Sequence, residues 1–269
     1  MTERIPARVA TLVAAILAAS AVLALAAGSA SASAIIYNDV PMPMPGNMVS
    51  VAFEATSTSE FGSQVEFAGT LRKNPTVKVT MSSWACQNHL SGAACQTEKG
   101  ATFAWPITLN IYAVGSGNAP GALVASTTQT FDIPFRPSAS KKCSLTPEGV
   151  VGWGAHCYSG KTHTITFASL TGVTLPAKAI ISVAYNTSDY GYAPTHGPDF
   201  GQNSLNLALR EPAEAGTLIG SNPIPADAYV NSSWSGAYCN GAEGTGTFRL
   251  DSGCWAGYQP AIMVKATKG

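Results

Sequence analysis

The stretch Ile107-Thr-Leu-Asn-Ile-Tyr-Ala-Val114, Gly115-Ser-Gly-Asn-Ala-Pro-Gly121, Ala122-Leu-Val-Ala-Ser-Thr-Thr-Gln-Thr-Phe-Asp-Ile133, closed by Pro134, reads as two long strands joined by a turn. Ile107, Leu109, Ile111 and Ala113 alternate with Thr108, Asn110 and Tyr112, the period of two that puts one face of an antiparallel strand on a core and leaves the other polar. The connection is built of Gly, Ser, Asn, Ala and Pro, most of which supply positive φ cheaply or fix φ for a turn. The pair carries no His and one acid, Asp132, so it is expected to be scaffold.

Working outward, the same reading predicts strands at 48–55, 63–68, 76–82, 162–169, 179–185, 204–210, 244–250 and 261–266, about ten with the hairpin. In the first of these Val49, Val51, Phe53 and Ala55 share a face. The run Ile180-Ile-Ser-Val-Ala184 suggests burial on both faces. The proline-rich lead 37–46 is expected to lie extended on the outside of the fold, and 56–62 to be a turn. No apolar residues recur at helical spacing for three turns after residue 34. The expected fold is therefore all-β: one antiparallel two-sheet sandwich, a jelly roll, with no linker or internal repeat to divide it.

Residues 1–34 have the form of a secretory signal peptide. Arg4 and Arg8 precede an apolar run from Val9 to Ala27, and small residues alternate up to Ala34. A cut after Ala34 is favoured and one after Ala32 is next, leaving a single secreted domain over 35–269, outside the cell or on its surface. The length of the apolar run keeps an uncleaved N-terminal anchor as the rival reading. Removing two basic residues (Arg4, Arg8) and one acidic residue (Glu3) leaves 13 basic and 14 acidic residues. Charged residues are 11% of the chain, against about 25% in typical domains, which argues against electrostatic binding to nucleic acid or to an anionic membrane after cleavage.

Six cysteines form three sequence-local pairs: Cys86 with Cys95, Cys143 with Cys157, and Cys239 with Cys254. An even count in an exported chain reads as disulfides, and the long gaps between pairs favour three local bridges among the 15 possible pairings. Each would staple one irregular loop and contribute roughly 3 kcal/mol in the chain-entropy account. No Cys-x-x-Cys or His-x3-5-His spacing suggests zinc.

Chemistry-bearing residues are sparse. Histidines 89, 156, 163 and 196 are scattered, three of them in loops, and the expected mature terminus, Ile35, is not the histidine a copper-dependent polysaccharide oxidase would need. No Gly-x-Ser-x-Gly elbow, His-Glu-x-x-His helix or phosphate loop is present. Glu54, Glu60 and Glu66 recur every six residues, and Glu54 and Glu66 as cross-strand neighbours would give a glycosidase-like carboxylate pair. Asp189 and Asp199 sit in a loop where calcium is conceivable, though the spacing matches no EF-hand. No cofactor or metal is expected.

Aromatic residues cluster more clearly. Tyr190, Tyr192 and His196 share one Gly/Pro loop with those two aspartates; Trp234 and Tyr238 together with Trp255 to Tyr258 form a second cluster. A flat ring offers apolar area and a π face to the CH side of a sugar, while nearby amides bind its hydroxyls. Packing of Trp84, Trp153, Trp234 and Trp255 against the disulfides is the structural alternative.

Across Tyr37-Asn-Asp-Val-Pro41, Met81-Ser-Ser-Trp-Ala-Cys86, Thr108-Leu-Asn-Ile-Tyr112, Ile133-Pro-Phe-Arg-Pro137 and Ser204-Leu-Asn-Leu-Ala208, the chain resembles a group of uncharacterised secreted bacterial β-sandwich proteins. The resemblance spans nearly the whole of 35–269. It implies a jelly-roll-like fold and transfers no catalytic or binding residue. The expected function is non-catalytic binding of an extracellular glycan or surface ligand through Tyr190, Tyr192, His196, Trp234 and Tyr238. A glycoside hydrolase using the strand carboxylates, and a surface structural or adhesive protein, are the alternatives.

Overall fold

The computed structural model describes residues 32–88, 94–139, 160–186 and 205–268, and the backbone of 151–153 and 156–158. Its strands are β1 (Ser33–Asn38), β2 (Ser50–Val51), β3 (Thr58–Glu66), β4 (Lys73–Ser83), β5 (Thr102–Val114), β6 (Pro120–Pro134), β7 (Val151–Trp153), β8 (His156–Tyr158), β9 (Lys161–Phe167), β10 (Lys178–Ala184), β11 (Leu205–Arg210), β12 (Asp227–Ser232), β13 (Arg249–Ser252), β14 (Gln259–Pro260) and β15 (Ile262–Thr267).

The hairpin forms as its alternation predicts. β5 and β6 pair from Thr102↔Pro134 to Val114↔Pro120, and Ile107, Leu109 and Ile111 are fully buried. Each such side chain contributes about 1.5–3 kcal/mol on leaving water. The reversal runs through Gly117 (φ 63°) and Asn118 (φ 62°), residue types that tolerate the left-handed region.

Six strands in the order β13-β12-β3-β10-β5-β6 make one antiparallel sheet. The other holds β1-β15-β4-β11-β14, with β9 along the free edge of β4 and β2 along β11. β7 and β8 pair separately. Phe61, Val65, Ile111, Ile181 and Val230 of the first sheet meet Val79, Met81, Phe167, Leu207 and Val264 of the second in one core, so the chain is an antiparallel two-sheet sandwich. From Ser33 onward the described residues make one compact unit. Among the described residues no helix is long and apolar enough to cross a membrane. Strand β10 pairs with β3 on one side and β5 on the other, and Ala179 to Val183 are all buried, in line with the two-sided apolar run.

Four local expectations need correction. The strand expected at 244–250 is turn over 243–246 and begins only at Arg249, as β13. The lead 37–46 does not simply lie outside: β1 pairs with β15, and Tyr37, Asp39 and Val40 are buried, because the three prolines (41, 43, 45) all follow Val40 and constrain only the chain beyond it. The strand at 48–55 shrinks to Ser50–Val51. Phe53 is drawn under the fold to stack on Tyr185 (centroids 4.1 Å, planes 4° apart), and the chain turns there, with Thr56 N–H donating to Ala52 O and Thr58 N–H to Phe53 O. Met48 is consequently buried and Val49 exposed.

The turn expected at 56–62 ends at residue 57, and β3 runs straight through Gly62. A Cβ at Gly62 would stand 2.6 Å from the Ser182 Cβ of its cross-strand partner, so this glycine allows close strand approach where sequence reasoning placed a reversal.

Disulfides join Cys86 to Cys95 and Cys239 to Cys254, as the local pairing predicts. The third predicted pair, Cys143 with Cys157, lies outside the residues whose side chains are described.

Candidate functional site

The turn at 52–57 connects the two sheets, and Trp234, Trp255 and Tyr258 gather around it. On one side lies a groove of about 390 Å3 bordered by Val49, Val51, Leu209, Trp255 and Tyr258, with the hydroxyls of Ser50 and Thr56 on its rim. β2 supplies Ser50 and Val51, and its pairing with β11 (Leu207↔Val51, Ala208↔Ser50) brings Leu209 alongside. The segment after Cys254 closes the far wall.

Trp255 is fixed in that wall. Its ring meets Phe61 edge-on (4.8 Å, 65°), and its indole N–H donates to the Asp251 carboxylate at 2.9 Å. Asp251 is fully buried and also accepts the backbone N–H groups of Cys239 (2.9 Å) and Asn240 (3.2 Å). One carboxylate thus ties the Cys239–Cys254 loop to the groove. Cys239, Asp251 and Cys254 come together as metal-ligand types, but both sulfurs are bonded to each other. Tyr258 is only partly buried, and its phenol has no hydrogen-bond partner among the described residues, which leaves it available to a ligand.

On the other side of the turn Trp234 is 52% exposed. Its position is set from below: Ser232 Oγ donates to Thr56 O (2.7 Å) and accepts the Trp234 N–H (2.9 Å), while Ser233 N–H donates to Ser57 O. Gly236 passes so close to the ring that a Cβ there would meet it at 2.5 Å.

Tyr238, grouped with Trp234 by sequence, has a different part. It is buried, its hydroxyl accepts from Ser232 N–H and faces the Ser232 carbonyl, and the Arg249 guanidinium lies 4.1 Å over its ring. Tyr238 therefore anchors the loop and has no free ring face for a sugar.

Tyr190, Tyr192 and His196 lie outside the described residues, as do Asp189, Asp199 and His89. The chain leaves toward them after Tyr185, which stacks on Phe53 and donates its hydroxyl to Leu205 O, and returns at Leu205. Tyr185 is thus held at the 52–57 turn, and Leu205 is held to Tyr185.

The glutamates do not form the carboxylate pair considered above. Glu60 and Glu66 stand six residues apart on one strand, roughly 20 Å at strand rise, against the 5–9.5 Å a glycosidase pair spans. Glu66 pairs across strands with Lys178, 3.5 Å from its ammonium, rather than with Glu54. Glu60 is buried on the outer face of the six-stranded sheet, where one oxygen accepts from Ser182 Oγ (2.6 Å), Asn110 Nδ2 (2.9 Å) and the Tyr112 hydroxyl (3.0 Å). Glu54 sits half-buried in the turn itself, where burial raises its carboxyl to about 7. His163 belongs to β9 as expected, and burial pushes its pKa down.

Asp251, the Glu60 network and the apolar side of the groove all escaped the sequence reading, because each is assembled from residues distant in the chain. No family model matches this chain, and no curated protein or solved structure is detectably similar to it.

Proposed function

We propose that this is a secreted, non-catalytic β-sandwich that binds an extracellular glycan at the rim formed by the 52–57 turn. The observation that carries the reading is the apolar groove bordered by Trp255 and Tyr258, with an exposed Trp234 across the same turn. Rings in those positions suit the CH faces of successive sugar units, and the Tyr258 and Ser50 hydroxyls suit their hydroxyl groups. Tyr185, five residues before Tyr190, stacks on Phe53 of the same turn, which supports including Tyr190, Tyr192 and His196 in the proposal. We further propose that the sandwich is a jelly roll. That reading is supported by the orders β2-β11-β4-β9 and β3-β10-β5-β6, between which successive segments of the chain alternate.

Polysaccharide pull-down and glycan-array binding of the full exported chain test the function. Retention is expected for the unsubstituted chain and a drop of about ten-fold or more in Trp234→Ala and Tyr258→Ala, since stacked rings each contribute on the order of 1–2 kcal/mol. Absence of retention, or equal retention by the variants, defeats it.

Export carries a separate expectation. β1 pairing begins at Ser33↔Thr267 and continues at Ala34↔Ala266, so cleavage after Ala32 keeps the strand whole, whereas cleavage after Ala34 removes its first two residues. Intact mass of the exported chain should correspond to a Ser33 start; a mass beginning at Ile35 would contradict it.

A further inference from the structure

The end of β11 sends consecutive side chains to two different depressions: Leu209 borders the apolar groove, and Arg210 faces a second cleft of about 200 Å3. The 258–259 segment divides the same way, with Tyr258 on the groove and Gln259 on the cleft. Tyr37, Asp39, Arg210 and Gln259 make the floor of this second site, and 218–222 makes a wall.

That wall is held in place. Asn38 and Ile219 exchange backbone hydrogen bonds at 2.9 and 3.0 Å, and Glu66 and Ser221 at 2.7 and 3.1 Å. Between them Gly220 has φ +74°, and a Cβ there would meet the Glu66 carbonyl at 2.5 Å, so the close approach needs glycine.

Arg210 is 7% exposed. Its guanidinium donates to the carbonyls of Asp39 (3.1 Å) and Glu214, both neutral acceptors. The nearby Asp39 carboxyl already accepts the Ile262 N–H (2.6 Å) and the Tyr37 hydroxyl (3.0 Å). Among the described residues the ion pair within 4.0 Å is Lys178 with Glu66, and it does not include Arg210. A guanidinium has five N–H donors, so most of those of Arg210 are still to give. Asn222, in the wall, has a buried Nδ2 with no hydrogen-bond partner, while its Oδ1 accepts the Ile224 N–H at 2.9 Å. The Asp39 carboxyl lies in the field of Arg210, yet Arg210 keeps N–H donors without an acceptor among the described residues and Asn222 Nδ2 is a buried donor without one, and an acceptor-bearing anion would satisfy both.

We propose that this cleft is a binding site for a small organic carboxylate, held by a charge-assisted hydrogen bond from Arg210 with Asn222 Nδ2 donating to a second oxygen. A volume of 200 Å3 equals roughly seven waters at about 30 Å3 each, enough for one small organic acid. The site is independent of the aromatic groove.

Calorimetric titration of the exported chain with acetate, lactate and glucuronate, and with glycerol and glucose as neutral counterparts, tests it. At least one acid should bind saturably and both neutral compounds should not. Asn222→Asp keeps the acceptor for Ile224 and places negative charge against the ligand, so it should weaken the bound acid at least ten-fold. Arg210→Gln should abolish binding, while Trp234→Ala and Tyr258→Ala leave it unchanged. Failure of all three acids to bind overturns the proposal, as does affinity unaltered in Asn222→Asp; that variant decides the matter if Arg210→Gln does not fold.

Discussion

Two depressions lie on either side of one strand end, and they differ in nearly every physical respect. The groove at Leu209 is walled by aliphatic and aromatic side chains, with hydroxyls only at its rim. The cleft at Arg210 has a floor of buried polar and ionisable groups. Both arise from the alternation of a single strand, since Leu209 and Arg210 necessarily point to opposite sides. The lesson is that β11 contributes two surfaces of opposite chemistry from adjacent positions. What each surface can bind is decided by the loops laid against it: 254–258 for the groove, 211–222 for the cleft.

The two depressions separate most strongly at Asp251. Asp251→Ala removes the acceptor for Cys239 N–H, Asn240 N–H and the Trp255 indole, leaving buried donors unmatched, and should cost about 3 kcal/mol in urea unfolding. The groove should lose its wall while acid binding at Arg210 persists. Asp251→Asn, which keeps one acceptor oxygen, should cost less.

Acidity acts on the cleft side. Burial raises the Asp39 carboxyl from 3.8 to about 7, against the opposing pull of its hydrogen bonds and of Arg210. The folded chain holds this proton to about pH 7 while the unfolded chain releases it near 4. The associated stability is therefore fully present below pH 4 and declines as pH rises through 4–7, by on the order of 2 kcal/mol or more. Glu54 adds a smaller change of the same sign because it is only half-buried. Melting temperature should rise as pH falls from 7 to 5, and Asp39→Asn should flatten most of that slope. An unchanged slope in Asp39→Asn would place the effect elsewhere.

A smaller effect on stability is expected at the groove rim. Trp234→Ala and Tyr258→Ala should each change unfolding free energy by less than about 1 kcal/mol, because both rings are partly solvated, yet they should reduce glycan retention strongly. Tyr238→Ala should do the reverse. Its phenol and ring are committed to Ser232 and Arg249, so unfolding should become easier by about 2 kcal/mol.

These contrasts also explain what could be read from the chain beforehand. The β5–β6 hairpin, β10 and β11 were legible because their apolar period is local and their faces are uniformly buried or alternating. β1 and β2 were obscured by the prolines after Val40 and by Phe53, whose stacking on Tyr185 turns the chain out of its strand. Gly62 reads as a turn residue until Ser182 is seen directly across from it. The aromatic clusters at Trp234 and at Trp255 to Tyr258 were visible as composition, whereas their gathering around one turn depends on long-range pairing of β2 with β11 and β3 with β12. Tyr238 illustrates the limit, since nothing local distinguishes a ring that anchors a loop from one that meets solvent. Arg210, Asp39 and Asn222 gave no signal because 171 residues separate the first pair and the cleft exists only once β1 has paired with β15.

The most direct test of the proposed glycan binding is quantitative retention of the exported chain on insoluble and soluble polysaccharides, compared with Tyr258→Ala of verified fold. The account predicts measurable retention by the unsubstituted chain and a loss of about ten-fold or more on removing that ring. Retention of both forms to the same extent, or of neither across the polysaccharides tested, would contradict it.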